Sequence, residues 1–218
     1  MTGRTAVHPA RQTKVMSGAL STSDDGAISQ STQLPVMTFG YGSRSQGEAL
    51  ALLARYGIDY VIDVRSVPWS RYRPEFSQDQ LAASLQTHGV RYVFMGSELG
   101  GRPDDPSCYD GDGRVDYRAC ERQPAFRNGI ERLCSAWETG HSVALMCSEG
   151  RPEDCHRTKL VATALIDAGV DVRHIDEGGE LRSHGEVLDR LRGSQTTLLE
   201  DPDLLAKSRN RYRAAASA

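Results

Sequence analysis

The chain has 218 residues, of which 39% are hydrophobic and 25% charged, and its formal net charge is −3. This length and composition are typical of one globular domain with appended tails. The net charge gives no support for bulk binding to nucleic acid or to a membrane surface. No apolar run approaches the roughly 18 residues that are needed to span a bilayer, so we expect a protein without membrane contact.

The cysteine content and the two ends of the chain set further limits. Five cysteines are an odd number and do not form the paired array of a small secreted domain, which favours free thiols in a reducing cytoplasm. Residues 1–35 are rich in Ser, Thr, Gly and Gln and are predicted to form a disordered N-terminal tail. Residues 36–192 are predicted to fold as one domain, and residues 193–218 to form a charged C-terminal tail. We expect a chain that starts at Met37 to be as stable as the full chain.

Short apolar runs alternate with helical patterns from residue 36 onward. The predicted strands are residues 36–39, 58–64, 90–95, 143–146 and 170–175. Helices are predicted to begin at Ser45 and at Ser77, because each serine is followed three residues later by Glu or Gln in a capping-box pattern. Further helices are predicted over 126–137 and 156–168, whereas residues 96–123 form a long irregular loop of a functional or mobile type. This alternation predicts an α/β fold, a single Rossmann-like domain with a mainly parallel sheet of about five strands and helices on both faces.

The most informative stretch is residues 143–157, VALMCSEGRPEDCHR. An apolar run ends at Cys147, a turn with Gly150 follows, and Cys155, His156 and Arg157 stand together before a helical pattern. In open α/β sheets the ends of the strands form the edge where ligands bind. A helix N-terminus also favours anions and thiolates. The stretch therefore predicts the location of a site, though not its reaction.

Three interpretations of this segment remain open. In the first, Cys147 is a nucleophile with a lowered pKa, and His156 or Glu149 transfers protons. In the second, Cys147, Cys155 and His156 bind a metal ion, although the Cys-x7-Cys-His spacing matches no standard zinc motif and a fourth ligand would have to come from elsewhere. In the third, the cysteines pack as small apolar residues and Arg157 caps the turn or binds an anion.

Other polar residues follow the predicted strands at the same edge. Asp63 ends the second strand and joins Cys147 and Glu149 as a candidate catalytic residue. Several guanidinium groups near a helix N-terminus suit a phosphate or carboxylate ligand. The candidate ligand-binding residues are Tyr41, Ser43, Arg65, Ser70, Arg71 and Arg157.

These motifs together resemble the DUF488 family, a domain of unknown function. The resemblance is carried by residues 38–43, 62–65 with Pro68 and Ser70, Phe76, 89–92, 98–101, Phe126, 145–149, 155–157 and 174–175. Tyr41 stands where the family usually has histidine, Ser148 stands where it usually has alanine, and the segment 103–117 is lengthened and acidic. The resemblance implies a Rossmann-like domain with its signature residues on one edge, and it implies no established reaction.

The leading functional hypothesis is a cytoplasmic protein that binds an anionic ligand at the strand ends. The ligand would be nucleotide-like or derived from nucleic acid, and Cys147 would support cysteine-dependent chemistry on it. One alternative is a metal-binding or redox-sensing protein that uses Cys147, Cys155 and His156. Another is a binding module without catalysis. The sequence identifies neither a cofactor nor an oligomeric state.

Overall fold

The computed structural model describes residues 33–193 and 205–212, which all fall in one compact unit beginning at Gln33. Its strands are β1 Val36–Gly40, β2 Tyr60–Asp63, β3 Arg91–Phe94, β4 Arg114–Asp116, β5 Val143–Cys147, β6 Val172–Ile175, β7 Leu181–Ser183 and β8 Lys207–Arg211. Its helices are α1 Gln46–Arg55, α2 Gln78–Thr87, α3 Gly96–Leu99, α4 Tyr117–Glu121, α5 Pro124–Glu138, α6 Thr163–Asp167 and α7 His184–Gly193. Short 3-10 turns cover Pro74–Phe76, Pro106–Cys108 and Pro152–Asp154, and a π-helical segment, Arg157–Ala162, leads into α6. None of the described helices is long and apolar enough to cross a membrane.

Six strands form one sheet in the order β3-β2-β5-β1-β6-β7. The first five pair in parallel, and β7 pairs antiparallel with β6. The predicted α/β class with a mainly parallel, Rossmann-like sheet is therefore confirmed. The extra strand β7 escaped prediction because its three residues, Leu181–Ser183, are too few to show an alternating pattern.

Helices cover both faces of this sheet, as predicted. Strand side chains alternate between the faces, so Val143 and Leu145 of β5 pack on one side while Ala144 and Met146 pack on the other. The first side is covered mainly by α5, the π-helical segment and α6, and the second by α1 and α2. Both faces of β5 are buried, which explains why its sequence is continuously apolar.

The two predicted capping boxes behave differently. Ser45 forms the complete box, because its hydroxyl accepts from the amide of Glu48 and the Glu48 carboxylate accepts from the amide of Ser45. Ser77 also begins a helix, but its side chain makes no capping hydrogen bond. Its hydroxyl instead accepts from the amide of Ser70 at 3.2 Å, so the capping box predicted there is wrong. The hydrogen bond with Ser70, seven residues earlier, thus takes the place of the local capping bond.

Part of the predicted irregular loop and part of the predicted C-terminal tail form a second, two-stranded sheet. β8 pairs antiparallel with β4, and the Ser208 hydroxyl accepts from the Val115 amide at 2.9 Å. The sequence Lys207–Arg211 gave no strand signal because it has no apolar alternation. Most of the predicted disordered N-terminal tail, residues 1–32, lies outside the described residues.

Candidate functional site

A cavity of about 330 Å³ lies at the carboxyl ends of the central strands. Cys147, Cys155 and His156 line it together, and we call these three residues the Cys-Cys-His cluster. The cavity is also lined by three arginines, Arg65, Arg102 and Arg209, and by four aromatic side chains, Tyr41, Trp69, Tyr117 and Tyr212. The predicted location of the site at the strand ends therefore coincides with a cavity.

The backbone explains why the cluster assembles. Cys147 is the last residue of β5 and lies beside Gly40 of β1 in the parallel register. The chain then passes through the turn Pro152–Asp154 and returns at Cys155, whose carbonyl accepts from the amides of Thr158 and Lys159. The three side-chain donor atoms consequently lie within 4.8 Å of one another, although seven residues separate the two cysteines in the sequence.

The ring of His156 has a defined orientation. Its Nε2 atom is 2.9 Å from the carbonyl oxygen of Val64, and a carbonyl can only accept, so Nε2 carries the hydrogen. In the neutral ring, Nδ1 then presents its lone pair to the sulfurs of Cys155 and Cys147, at 3.7 and 3.9 Å. Gly101 packs against this ring, because a Cβ atom there would lie 2.6 Å from its Cγ.

The two thiols differ in acidity. The pKa of Cys147 is well below its ordinary value, chiefly because the Cys155 thiol donates a hydrogen bond to it and also because Arg157 and, when its ring is protonated, His156 stabilise its negative charge. The pKa of Cys155 is well above its ordinary value, first because of burial and then because its hydrogen bond to Cys147 is made by the protonated form. The pair therefore favours a thiolate on Cys147 and a thiol on Cys155.

Asp63 and Arg65 form a buried ion pair under the cavity. The Asp63 carboxylate accepts from the amide, Nε and Nη2 of Arg65 and from the Tyr92 hydroxyl at 2.7 Å. Arg65 also donates to the Phe76 carbonyl at 2.9 Å and lines the cavity, whereas Asp63 does not. Asp63 therefore orients Arg65, and its carboxylate does not contact the cavity.

Arg157 supports the loop that follows β5. Its side chain is fully buried, and its guanidinium donates to the carbonyls of Glu149 and Gly150 at 2.5 and 3.3 Å. It does not line the cavity. The guanidinium thus fixes the position of the turn between Cys147 and Cys155, and it adds positive charge near the sulfurs.

The remaining predicted residues divide into two groups. Tyr41 lines the cavity, stacks on Phe76 with ring centres 4.2 Å apart, and accepts from Arg65 at 3.4 Å. Glu149 also lines the cavity and is exposed. Ser43, Ser70 and Arg71 do not line it; Ser70 instead accepts from the amide of Arg73.

Several residues that line the cavity are not among the predicted site residues. Arg102 lies on the Tyr212 ring, 4.3 Å from its centre, and its amide donates to the Ser66 hydroxyl at 2.8 Å. Trp69 is 64% exposed beside the cavity, and Tyr117 begins α4. Gly100 and Gly101, just before Arg102, were the one sequence signal for this part of the cavity, because glycine lets the backbone approach another group closely. The group that it approaches is His156, not a ligand.

Comparison with known proteins gives one result. Residues 46–164, more than half of the chain, match a protein family. A search of curated proteins and a search of solved structures gave no match. The matched range includes β2, β5 and the whole Cys-Cys-His cluster. The chain therefore belongs to the family described as Domain of unknown function DUF488.

Proposed function

We propose that the chain binds an anionic, nucleotide-like ligand in the 330 Å³ cavity and performs cysteine-dependent chemistry on it. One observation carries the proposal: the cavity combines the Cys-Cys-His cluster with arginine and aromatic side chains. Its volume lies within the range of about 300–1,000 Å³ that is typical of small-molecule sites. Arginines recognise phosphate and carboxylate groups, and aromatic faces stack on planar rings.

Two of the three arginines that line the cavity have separate tasks in this proposal. Arg65 is held by Asp63, so its guanidinium has a fixed position at the base of the cavity. Arg102 is exposed and lies on the Tyr212 ring, which leaves its donors free to turn toward a ligand. We assign the main contact with the anionic group to Arg102 and a supporting contact to the positioned guanidinium of Arg65.

The sulfur of Cys147 is the reactive group in this proposal. It lies at the end of β5, lines the cavity and is the more acidic thiol of the pair. Glu149 lies at the rim, where an exposed carboxylate can exchange protons with solvent. All five cysteines, which the structure describes, are unpaired, and this supports our proposal of a reducing, cytoplasmic location.

Binding to a nucleotide panel tests the proposal. Nucleoside mono- and diphosphates are compared with the neutral nucleosides by calorimetry, on the full chain. We expect the phosphorylated compounds to bind more tightly and Arg102→Gln to lose about 10- to 100-fold, because a hydrogen bond to a charged group contributes about 1.5–3 kcal/mol. Arg192→Gln, on the exposed side of α7, is the matched control and should bind as the wild type does.

Two results would contradict the proposal. Equal affinity for nucleosides and nucleotides would show that the protein does not recognise the anionic group. Unchanged binding by Arg102→Gln would show that the ligand does not bind in the cavity. The Cys147→Ser variant separates binding from chemistry. If it still binds the ligand, a search for turnover can compare it with the wild type.

A further inference from the structure

We propose that Cys147, Cys155 and His156 bind one Zn²⁺ ion, with a fourth coordination position that opens into the cavity. The inference rests on the proposed function and deepens it, since the reactive sulfur of Cys147 would then be a zinc-bound thiolate. The observation that carries it is the convergence of two sulfurs and one imidazole nitrogen within 4.8 Å. Within the described residues, this is the one group of three or more His, Cys, Asp or Glu side chains close enough to hold an ion.

The distances suit a tetrahedral ion. Zinc lies about 2.3 Å from sulfur and about 2.0–2.1 Å from nitrogen, so a sulfur and a nitrogen bound to the same ion are about 3.6 Å apart. The Nδ1 atom of His156 is 3.7 Å from the Cys155 sulfur and 3.9 Å from the Cys147 sulfur. Two sulfurs on one tetrahedral zinc ion are about 3.8 Å apart. All three donor atoms lie within 4.8 Å of one another, so a shift of at most about 1 Å would bring them to coordination distance.

The surroundings of His156 also fit a ligand. A metal-binding histidine usually donates its other ring N–H to a carbonyl or a carboxylate, which fixes the ring and its tautomer. Here Nε2 donates to the Val64 carbonyl at 2.9 Å, and Nδ1 faces the sulfurs. Close packing of Gly101 against the ring keeps it in this position.

The charge and the chemical softness of the three ligands favour Zn²⁺. Two thiolates and a neutral imidazole compensate the two positive charges of Zn²⁺, so the complex carries no net charge into a site where both cysteines are buried. Binding would release the thiol protons to solvent. Sulfur and imidazole ligands favour Zn²⁺ over Mg²⁺ or Ca²⁺, which require oxygen ligands.

The number of donors indicates the type of site. Structural zinc sites are closed by four protein ligands, whereas catalytic sites have three and keep one position for water or substrate. All three residues of the Cys-Cys-His cluster line the cavity, so the open position would face the anionic ligand. A zinc-bound water or a ligand oxygen would occupy it.

Titration with Co²⁺ tests the inference on the full, metal-free chain. We expect one equivalent to bind, with the sulfur-to-cobalt charge-transfer absorption and the visible bands of tetrahedral Co²⁺, and Zn²⁺ to displace it. Addition of inorganic phosphate should change the visible bands, because the fourth position is exchangeable. Cys147→Ser, Cys155→Ser and His156→Gln should each weaken binding at least about 100-fold, more than the loss of an outer-shell partner. Cys134→Ser, which changes a half-buried cysteine of α5, should bind as the wild type does.

Alkylation of the wild-type protein tests the same inference without relying on variants that must fold. Zn²⁺ should protect Cys147 and Cys155 from iodoacetamide and leave the labelling of Cys134 unchanged, as mapped by mass spectrometry. Absence of protection, or undiminished Co²⁺ binding by Cys147→Ser, overturns the inference. Nucleotide binding by the same metal-free protein would then leave the proposed function standing with a free thiolate, whereas metal binding without nucleotide binding would refute the proposed function alone.

Discussion

The Asp63–Arg65 pair is the most deeply buried ion pair beside the site, with side-chain exposures of 0% and 5%. Replacing Asp63 by Asn keeps the shape of the side chain and leaves the Arg65 charge uncompensated. We expect Asp63→Asn to lower the free energy of unfolding by about 3 kcal/mol, because breaking a buried pair leaves one charge unpaired. Urea unfolding measures the change. Tyr92→Phe removes one hydrogen bond to the same carboxylate and should cost about 1 kcal/mol; equal effects of the two variants would contradict this account.

Gly40 shows how closely the backbone must pack for the site to form. A Cβ atom at this position would lie 1.6 Å from the Glu149 carbonyl oxygen and 2.9 Å from Nη1 of Arg157. Gly40→Ala should therefore displace the turn after β5 and destabilise the fold by about 1–3 kcal/mol, as overpacking does. Gly47→Ala is the matched control, since no atom lies within 4 Å of its Cβ position. Its helical position predicts a gain of about 0.5–1 kcal/mol by thermal unfolding.

At the residue level, sequence reasoning found the side chains that the main sheet positions. Cys147 ends the apolar strand β5, and Arg65 lies two residues after β2, so the rule for parallel strands located both. The rule cannot distinguish a side chain that faces the cavity from one buried beneath it, as Asp63 and Arg157 are. Arg102 and Tyr212 were not found, because they come from outside the main sheet and meet only through tertiary contacts.

Among the elements, β8 has a role that its polar sequence conceals. It pairs with β4, and Ser208, Arg209 and Asn210 line the cavity next to Tyr212. The same segment fixes the start of α4, because the Ala206 carbonyl accepts from the Tyr117 amide at 2.8 Å. One wall of the site therefore depends on a segment outside the residues that match the family.

Truncation at the C-terminus tests this role. A chain that ends at Gly193 lacks β8, and we expect a lower melting temperature and weaker nucleotide binding than for the full chain. A chain that ends at Tyr212 retains the strand and should match the full chain in both measurements. Equal affinity of the two truncated chains would show that β8 is dispensable for the site. For a domain of this size, each kcal/mol lost lowers the melting temperature by about 2–4 °C.

The order and type of the main strands and helices could be predicted from the sequence, whereas the details of individual elements could not. Alternation of apolar strands and amphipathic helices determines the α/β class, because each element must bury its apolar side against the others. Ser77 shows the limit of this reasoning: the local pattern matches that of Ser45, yet the hydroxyl bonds to Ser70 in a neighbouring loop. β7 and β8 have too few residues or too few apolar ones to be detected.

The stability of the whole molecule should depend on pH through a histidine pair, in which His174 is buried and His184 is half-buried. His174 Nε2 lies 3.0 Å from His184 Nδ1, and Thr38 contacts the other ring nitrogen of His174 at 2.9 Å. Burial, with positive charge from His184 and Arg157, lowers the pKa of His174 from 6.5 to about 3. Burial lowers the pKa of His184 as well, against the opposing charge of Asp167.

The sign of the dependence follows from proton uptake. Between pH 6.5 and about pH 3 the unfolded chain binds a proton at residue 174 and the folded chain does not, so stability is retained above pH 6.5 and falls as the pH is lowered. The loss approaches about 1.4 kcal/mol per pH unit for this group. His174→Gln should flatten the dependence measured by urea unfolding, and His88→Gln, an exposed control, should not. Parallel curves for wild type and His174→Gln would contradict the assignment.

The start of the folded unit is the second property of the whole molecule that can be tested. Sequence reasoning favours equal stability for a chain that starts at Met37, yet β1 begins one residue earlier. Val36 is 1% exposed, and its amide donates to the Asp171 carbonyl at 2.9 Å. The segment before it is tied to α5, because the Gln33 side chain donates to the Trp137 carbonyl at 2.7 Å and the Trp137 ring donates to the Leu34 carbonyl at 2.8 Å.

A chain that starts at Met37 should therefore be less stable than one that starts at Gln33. Burial of a valine side chain contributes about 1.5–3 kcal/mol, and each lost hydrogen bond adds about 1 kcal/mol at most sites. We expect a loss of about 2–4 kcal/mol in urea unfolding, and a midpoint shift without a change in slope, because the same core unfolds. Equal midpoints would mean that β1 tolerates the loss of its first residue and that Trp137 can pack without residues 33–35. Since α5 covers the face of the sheet that carries Cys147, a loss of stability there would also link the N-terminal segment to the support of the site.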